Sequence, residues 1–120
     1  MAVNVAAEPL YRHGLVLFNQ GAFYESHEEW EILWREAPPP EKFFLQSLIH
    51  FAVALCHWER GNPVGAQRQM DKCLRKLAGY LPRHAGLDTW AVWRGAQAIA
   101  EAWRAGAPPP SPPPLALRLY

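Results

Sequence analysis

The stretch Phe23 to Trp34 sets Phe23, Tyr24, Trp30 and Trp34 among four glutamates and a histidine. A helix, advancing about 100° per residue, gathers those rings. Glu31, Tyr24, Trp34, Phe23 and Trp30 then all fall within about 60° of His27, to one side or the other. One face therefore carries four aromatics with a histidine and a carboxylate between them. Glu25 and Glu29 fall on the opposite, solvated side, and Glu28 lies at the edge. A carboxylate buried on an aromatic face is costly unless it is paired and hydrogen-bonded. His27 and Glu31 are thus expected to meet partners from elsewhere in the chain.

The partners are expected on the longest helical stretch, Glu41 to Arg60. Between Phe43 and Trp58 its polar side chains are Gln46, Ser47, His50 and His57, and apolar residues fill the other sides. Such a pattern predicts a buried central helix. Gln46, His57 and Ser47 all fall within about 60° of His50, so the polar residues form one stripe. A buried network of His27, Glu31, Gln46, His50 and His57 would fix the register of the two helices.

Helix boundaries follow from punctuation. Pro9 suits a first helical turn, and Leu10, Leu15, Leu17 and Phe18 supply apolar positions up to Asn19, before Gly21. The aromatic helix runs from about Ala22 to Glu36, where Ala37-Pro38-Pro39-Pro40 stops it. Gly61-Asn62-Pro63 forms a turn, with Asn62 capping a helix to about Gly79 whose inner face is Met70, Cys73, Leu74, Leu77 and Leu81. Arg68, Lys72, Arg75 and Lys76 form an outer basic ridge, followed by Arg83 and His84. Asp88 caps a last helix to about Ala105, anchored by Trp90, Trp93, Ile99 and Trp103. The fold class expected is all-α, one bundle of about five antiparallel helices over residues 1–107. Its Lys42–Leu81 hairpin resembles a tetratricopeptide-like pair.

Residues 108–120 form a separate arm. Pro108 to Pro114 holds six prolines and one serine, which predicts extended polyproline II, and Leu115 to Tyr120 alternates apolar residues. The arm either packs back on its own bundle or swaps into a second copy, so a homo-oligomer is one expectation.

Composition narrows the function. Half of the 120 residues are apolar and six are Trp, which argues for a globular domain and against disorder, and a net charge of +1 gives no bulk field for nucleic acid or an anionic membrane. The basic ridge reads as a solvated face, with nucleic acid an unfavoured partner. No apolar run is long enough to span a bilayer, and no signal peptide is evident, so the cytoplasm is expected. Cys56 and Cys73 lie at different heights of their hairpin and should not bridge.

His27-Glu28-Glu29-Trp30-Glu31 departs from the zinc-protease pattern H-E-x-x-H, since Glu31 replaces the second histidine. His27 and Glu31, joined by His50, are nevertheless candidate ligands for a divalent metal, with Glu28 as a candidate catalytic base. Otherwise no cofactor is expected. The alternative, favoured on these residues, is a non-enzymatic module binding an unknown protein or small molecule. Its polar cluster comprises Tyr24, His27, Glu28, Glu31, Trp34, Gln46, His50 and His57, with Tyr24, Trp30 and Trp34 as walls.

Tyr24-Glu25-x-His27-Glu28-x-Trp30-Glu31-x-x-Trp34 resembles the signature of domain-of-unknown-function family 309, small helical proteins of prokaryotes. Gln46-x-Leu48-Ile49, Ala52-x-Ala54-x-x-His57 and Gly61-Asn62-x-x-Gly65-Ala66 resemble its following segments, so the likeness covers roughly residues 18–80. The resemblance implies an all-helical fold and no particular activity. His27, Glu28, Glu31 and His57 match the family's pattern, which more usually has Gln at the position of His50 and Gly at that of Ser47.

Overall fold

The computed structural model describes residues 4–117, and these form five α-helices: α1 (Pro9–Asn19), α2 (Phe23–Glu36), α3 (Pro39–Glu59), α4 (Pro63–Leu77) and α5 (Thr89–Ala105). No strand occurs among the described residues, only an isolated bridge between His84 and Leu87. The all-α single domain expected from periodicity is the fold observed. The lead-in Met1 to Val3 lies outside the described residues.

Punctuation explains the boundaries. Gly21, at φ +81°, carries the chain from α1 to α2. Ala37 is extended, as a residue before proline must be, so α2 ends there. The proline run also starts the next helix. Pro39 and Pro40 occupy its first turn, where a missing N–H costs nothing, so α3 begins two residues before the expected Glu41. Asn62 caps α4 by accepting from the Gly65 N–H at 3.0 Å, and Asp88 caps α5 by accepting from Ala91 N–H at 3.0 Å. The α4 helix closes in a 3-10 turn, Ala78–Tyr80.

The core gathers around α3, which packs against both α2 and α4. Phe44, Leu45, Leu48, Phe51, Ala52 and Ala54 are fully buried along it. It is not apolar-buried on every side, as its sequence suggested. Phe43 is mostly exposed, because α3 is covered by neighbours on two flanks and open between them. Trp30 is fully buried between α1 and α2 and donates its indole N–H to Tyr11 O at 3.2 Å. Gly14 makes this approach possible: a Cβ there would stand 2.1 Å from Trp30 Nε1. Phe18 sits edge-on to both Phe23 and Phe51, each at 5.1 Å.

The aromatics of α5 divide. Ile99 and Trp103 are buried, Trp93 donates to Leu74 O at 3.0 Å, and Trp90 is exposed, stacked on Trp93. Trp90 is therefore not the core anchor its spacing implied. His84 and Lys76 also depart from the basic ridge. His84 donates to both oxygens of Glu41 at 3.1 Å and lies between Phe44 and Tyr80, tying the α4–α5 loop to α3. Lys76 turns inward, while Arg68, Lys72 and Arg75 stay exposed.

After Gly106 the chain is non-helical to residue 117 and returns to the bundle. Leu115 is buried in the common core. Its backbone N–H donates to Asn19 Oδ1 at 2.8 Å, and Asn19 Nδ2 donates to Leu115 O at 3.0 Å. Arg118, Leu119 and Tyr120, with the end of the expected alternation, lie outside the described residues.

Candidate functional site

The two flanks of α3 leave a groove between them. It has a volume of about 230 Å³ and is lined by His27, Glu31 and Trp34 of α2, Gln46, Ile49, His50 and Val53 of α3, and Gln69 of α4. Gln46 and His50 of the polar stripe of α3 line the same groove as His27 and Glu31, as helical spacing requires. They meet across an open groove, not inside a sealed core.

On the α2 wall, His27 Nε2 lies 2.9 Å from Glu31 Oε2 and His27 Nδ1 lies 3.0 Å from Tyr24 O, and the ring's one N–H in the neutral form can be given to either acceptor. The i,i+4 spacing stacks these side chains on one face. The expectation that Glu31 is buried fails. Its side chain is 39% exposed, against 19% for His27, because the groove opens over the end of the longer side chain.

On the α3 side, the lining residues Gln46 and His50 are tied to α4: Lys76 Nζ donates to Gln46 Oε1 and to His50 Nε2, both at 2.8 Å. His50 Nδ1 donates to Gln69 Oε1 at 2.7 Å. An ammonium only donates and a carbonyl oxygen only accepts, so His50 carries its proton on Nδ1 and is neutral. Burial lowers the pKa of His50 below its usual range. The Gln69 bond opposes that shift, and Lys76, Lys72 and Arg75 reinforce it. Burial likewise lowers Lys76, aided by Lys72 and Arg75.

The other expected members stand elsewhere. His57 accepts at Nδ1 from Asn62 Nδ2 at 3.1 Å, and so belongs to the α3–α4 turn. Ser47 is buried and donates to Phe44 O of its own helix at 2.6 Å. Tyr24 is exposed beside Arg60, whose guanidinium lies 5.7 Å from its ring centre, and it lines a different surface cleft with Cys56. Trp30 is core, not wall. Glu28 is exposed and lines none of the clefts described. Trp34 does line the groove; its buried indole N–H has no partner among the described residues, and Lys42 Nζ lies 4.7 Å from its ring centre. Cys56 and Cys73 are free thiols, both pushed up by burial, Cys73 the more strongly.

No group of three or more His, Cys, Asp or Glu side chains among the described residues is placed to hold a metal ion. His27, Glu31 and His50 line the same groove without forming a ligand set. Both ring nitrogens of His50 are already engaged by Lys76 and Gln69, and a metal would have to displace one of them. Spacing fixes the facing sides of α2 and α3, not the width of the gap between them.

Gln69 went unread in the sequence, and Lys76 was read only as part of the outer basic ridge. Both lie about 100–120° from Met70, on one flank of α4 at the edge of its apolar face. That shared flank was the available signal.

The family model of the domain of unknown function DUF309 matches residues 11–69, from Tyr11 in α1 to Gln69 in α4. The chain belongs to the DUF309 family. The DUF309 match contains every groove-lining residue of α2 and α3 and ends at Gln69, so Lys76, α5 and the proline-rich arm lie outside it. No curated protein matches the chain. No helix among the described residues is long and apolar enough to cross a membrane.

Proposed function

We propose that this DUF309 chain is a non-enzymatic binding module that takes a small zwitterionic molecule, of amino-acid size, in the groove between α2, α3 and α4. The observation that carries this reading is that the groove has a carboxylate on its α2 side and an ammonium bonded to its α3 side chains. The α2 wall presents the carboxylate of Glu31, partly open to solvent, with Oε2 bonded to His27. Lys76 of α4 is not itself a lining residue, but its ammonium is bonded to two that are, Gln46 and His50, which use two of its three N–H groups. Ile49, Val53 and Trp34 supply the apolar part of the lining. A ligand ammonium complements Glu31, a ligand carboxylate complements Lys76, and an aliphatic side chain complements the apolar lining. The volume of about 230 Å³ lies below the range of roughly 300–1,000 Å³ usual for drug-sized ligands, which favours something smaller.

The reading is tested by thermal melting of the full chain with leucine, leucinamide and 4-methylpentanoate. These share one aliphatic skeleton and carry both charges, the ammonium alone or the carboxylate alone. Leucine should raise the melting temperature by several degrees at saturating concentration, more than either analogue, because it alone carries both charges. Glu31→Gln and Lys76→Met should each remove the advantage of leucine. Equal shifts for all three compounds, or an advantage that survives both substitutions, would rule the proposal out.

A further inference from the structure

The seat of the C-terminal arm is built for one kind of chain segment. Pro112, Pro113 and Pro114 have no backbone N–H, so no neighbouring strand could recognise them through a ladder. Leu115 is the first residue after them that has one. Asn19 takes both backbone groups of Leu115, accepting from its N–H at 2.8 Å and donating to its carbonyl at 3.0 Å. A side-chain amide thus makes the bonds a strand partner would make. Upstream, Pro113 lies flat on α5 at Gly95, where a Cβ would approach Pro113 Cγ to 2.5 Å. Any larger residue at position 95 would push the proline off. Recognition of an extended proline-rich segment by flat packing and a few backbone bonds is a recurring mode of peptide binding.

The arm does not fill its seat. A cavity of about 360 Å³ remains between Phe18, Gly21 and Phe23 on one side and Ser111 to Pro114 on the other. Ser111 is exposed and is one of the residues that line it. The tether from Ala107 to Ser111 is largely exposed, so the arm is held chiefly at Pro113, Leu115 and Leu117.

We propose that this seat is a recognition site for an extended proline-rich segment of a partner protein, and that the chain's own arm occupies it as a competitor. The preferred segment keeps the Pro-Pro-Pro-Leu run and places a bulky aliphatic residue where the arm has Ser111, filling the cavity beside Phe18 and Phe23. The site is separate from the groove of α2, α3 and α4, and it stands or falls independently of the ligand proposed there.

The test uses the full chain with a site-specific protease site inserted after Pro109, folded and then cut. A fluorescein-labelled synthetic peptide of residues 107–117 should exchange with the released arm while the bundle stays helical by circular dichroism. The same peptide carrying Ser111→Leu should bind at least threefold more tightly. Asn19→Ala in the cut chain should weaken binding at least tenfold. Asn19→Asp, which keeps the acceptor for Leu115 N–H and loses the donor to its carbonyl, should fall between. A folded bundle that takes up no peptide would overturn the proposal, as would a bundle that unfolds when the arm is released, since the arm would then be part of the core. Unchanged affinity with Asn19→Ala and Asn19→Asp would overturn the role of the amide. A Ser111→Leu peptide that binds no better would overturn the cavity as a subsite.

Discussion

Lys76 Nζ donates to His50 Nε2 across 2.8 Å. The bond requires an unprotonated Nε2, so it is lost when the imidazole takes up a second proton. His50 titrates below its usual 6.5 because burial disfavours the imidazolium, with Lys76, Lys72 and Arg75 adding repulsion. Between the lowered value and 6.5 the unfolded chain binds more protons at this site than the folded one. Stability from the neutral ring is therefore complete above about pH 6.5 and lost as pH falls through the folded value. Urea unfolding from pH 8 to pH 5 should show that loss. His50→Gln, which can still accept from Lys76 and donate to Gln69, should flatten that part of the profile. The difference between the two profiles isolates His50 from the three histidine–carboxylate pairs, His13–Glu29, His27–Glu31 and His84–Glu41. Identical acid limbs in both proteins would mean that His50 does not titrate as its contacts require.

Glu31→Ala should lower stability by no more than about 1 kcal/mol. A carboxylate sealed in the core with histidine partners would cost several times that, since truncation would strand buried polar groups. Glu31 is instead 39% exposed, and its pairing with His27 is an i,i+4 contact weakened by water. His27 keeps its bond to Tyr24 O in the variant. Equilibrium unfolding distinguishes the two cases, and a loss above about 2 kcal/mol would show that the groove closes over Glu31 in solution.

The order and extent of the helices were legible because each boundary carries its own chemistry: Pro9, the proline run, Asn62-Pro63 and Asp88 all act locally. The facing of α2 and α3 was legible for the same reason, since periodicity alone decides it. What periodicity does not decide is the distance between facing helices. That is why His27 and Glu31 could be set opposite His50 and Gln46 in sequence, while the open groove and the engagement of His50 by α4 could not. His57 shares the angular position of His50 but lies almost two turns further on, where the Asn62 cap claims it. The arm was legible as an extended segment. Its clamp on Asn19 was not, because the two residues are 96 positions apart and an asparagine at a helix end reads as a cap.

Gly14→Ala is the sharpest test of the α1–α2 contact that holds the groove's α2 wall in place. Alanine is the better helix former by about 1 kcal/mol, so propensity alone predicts stabilisation. Packing predicts the reverse. The added Cβ would stand 2.1 Å from Trp30 Nε1 and 2.6 Å from Cδ1, both atoms of a rigid, fully buried indole. The ring cannot yield without breaking its bond to Tyr11 O or tilting into Phe18, whose ring centre is 6.0 Å away. Overpacking of this kind typically costs about 1–3 kcal/mol. Because the clash falls on a ring with no free direction, the upper part of that range applies, and a net loss of about 2 kcal/mol should remain after the gain in propensity. Displacing Trp30 would also shift α2, so His27 and Glu31 should move relative to His50. The chemical shifts of the His27 imidazole would report that movement. A Gly14→Ala protein as stable as wild type, with the His27 signals unmoved, would mean that the helices are not in contact at this point.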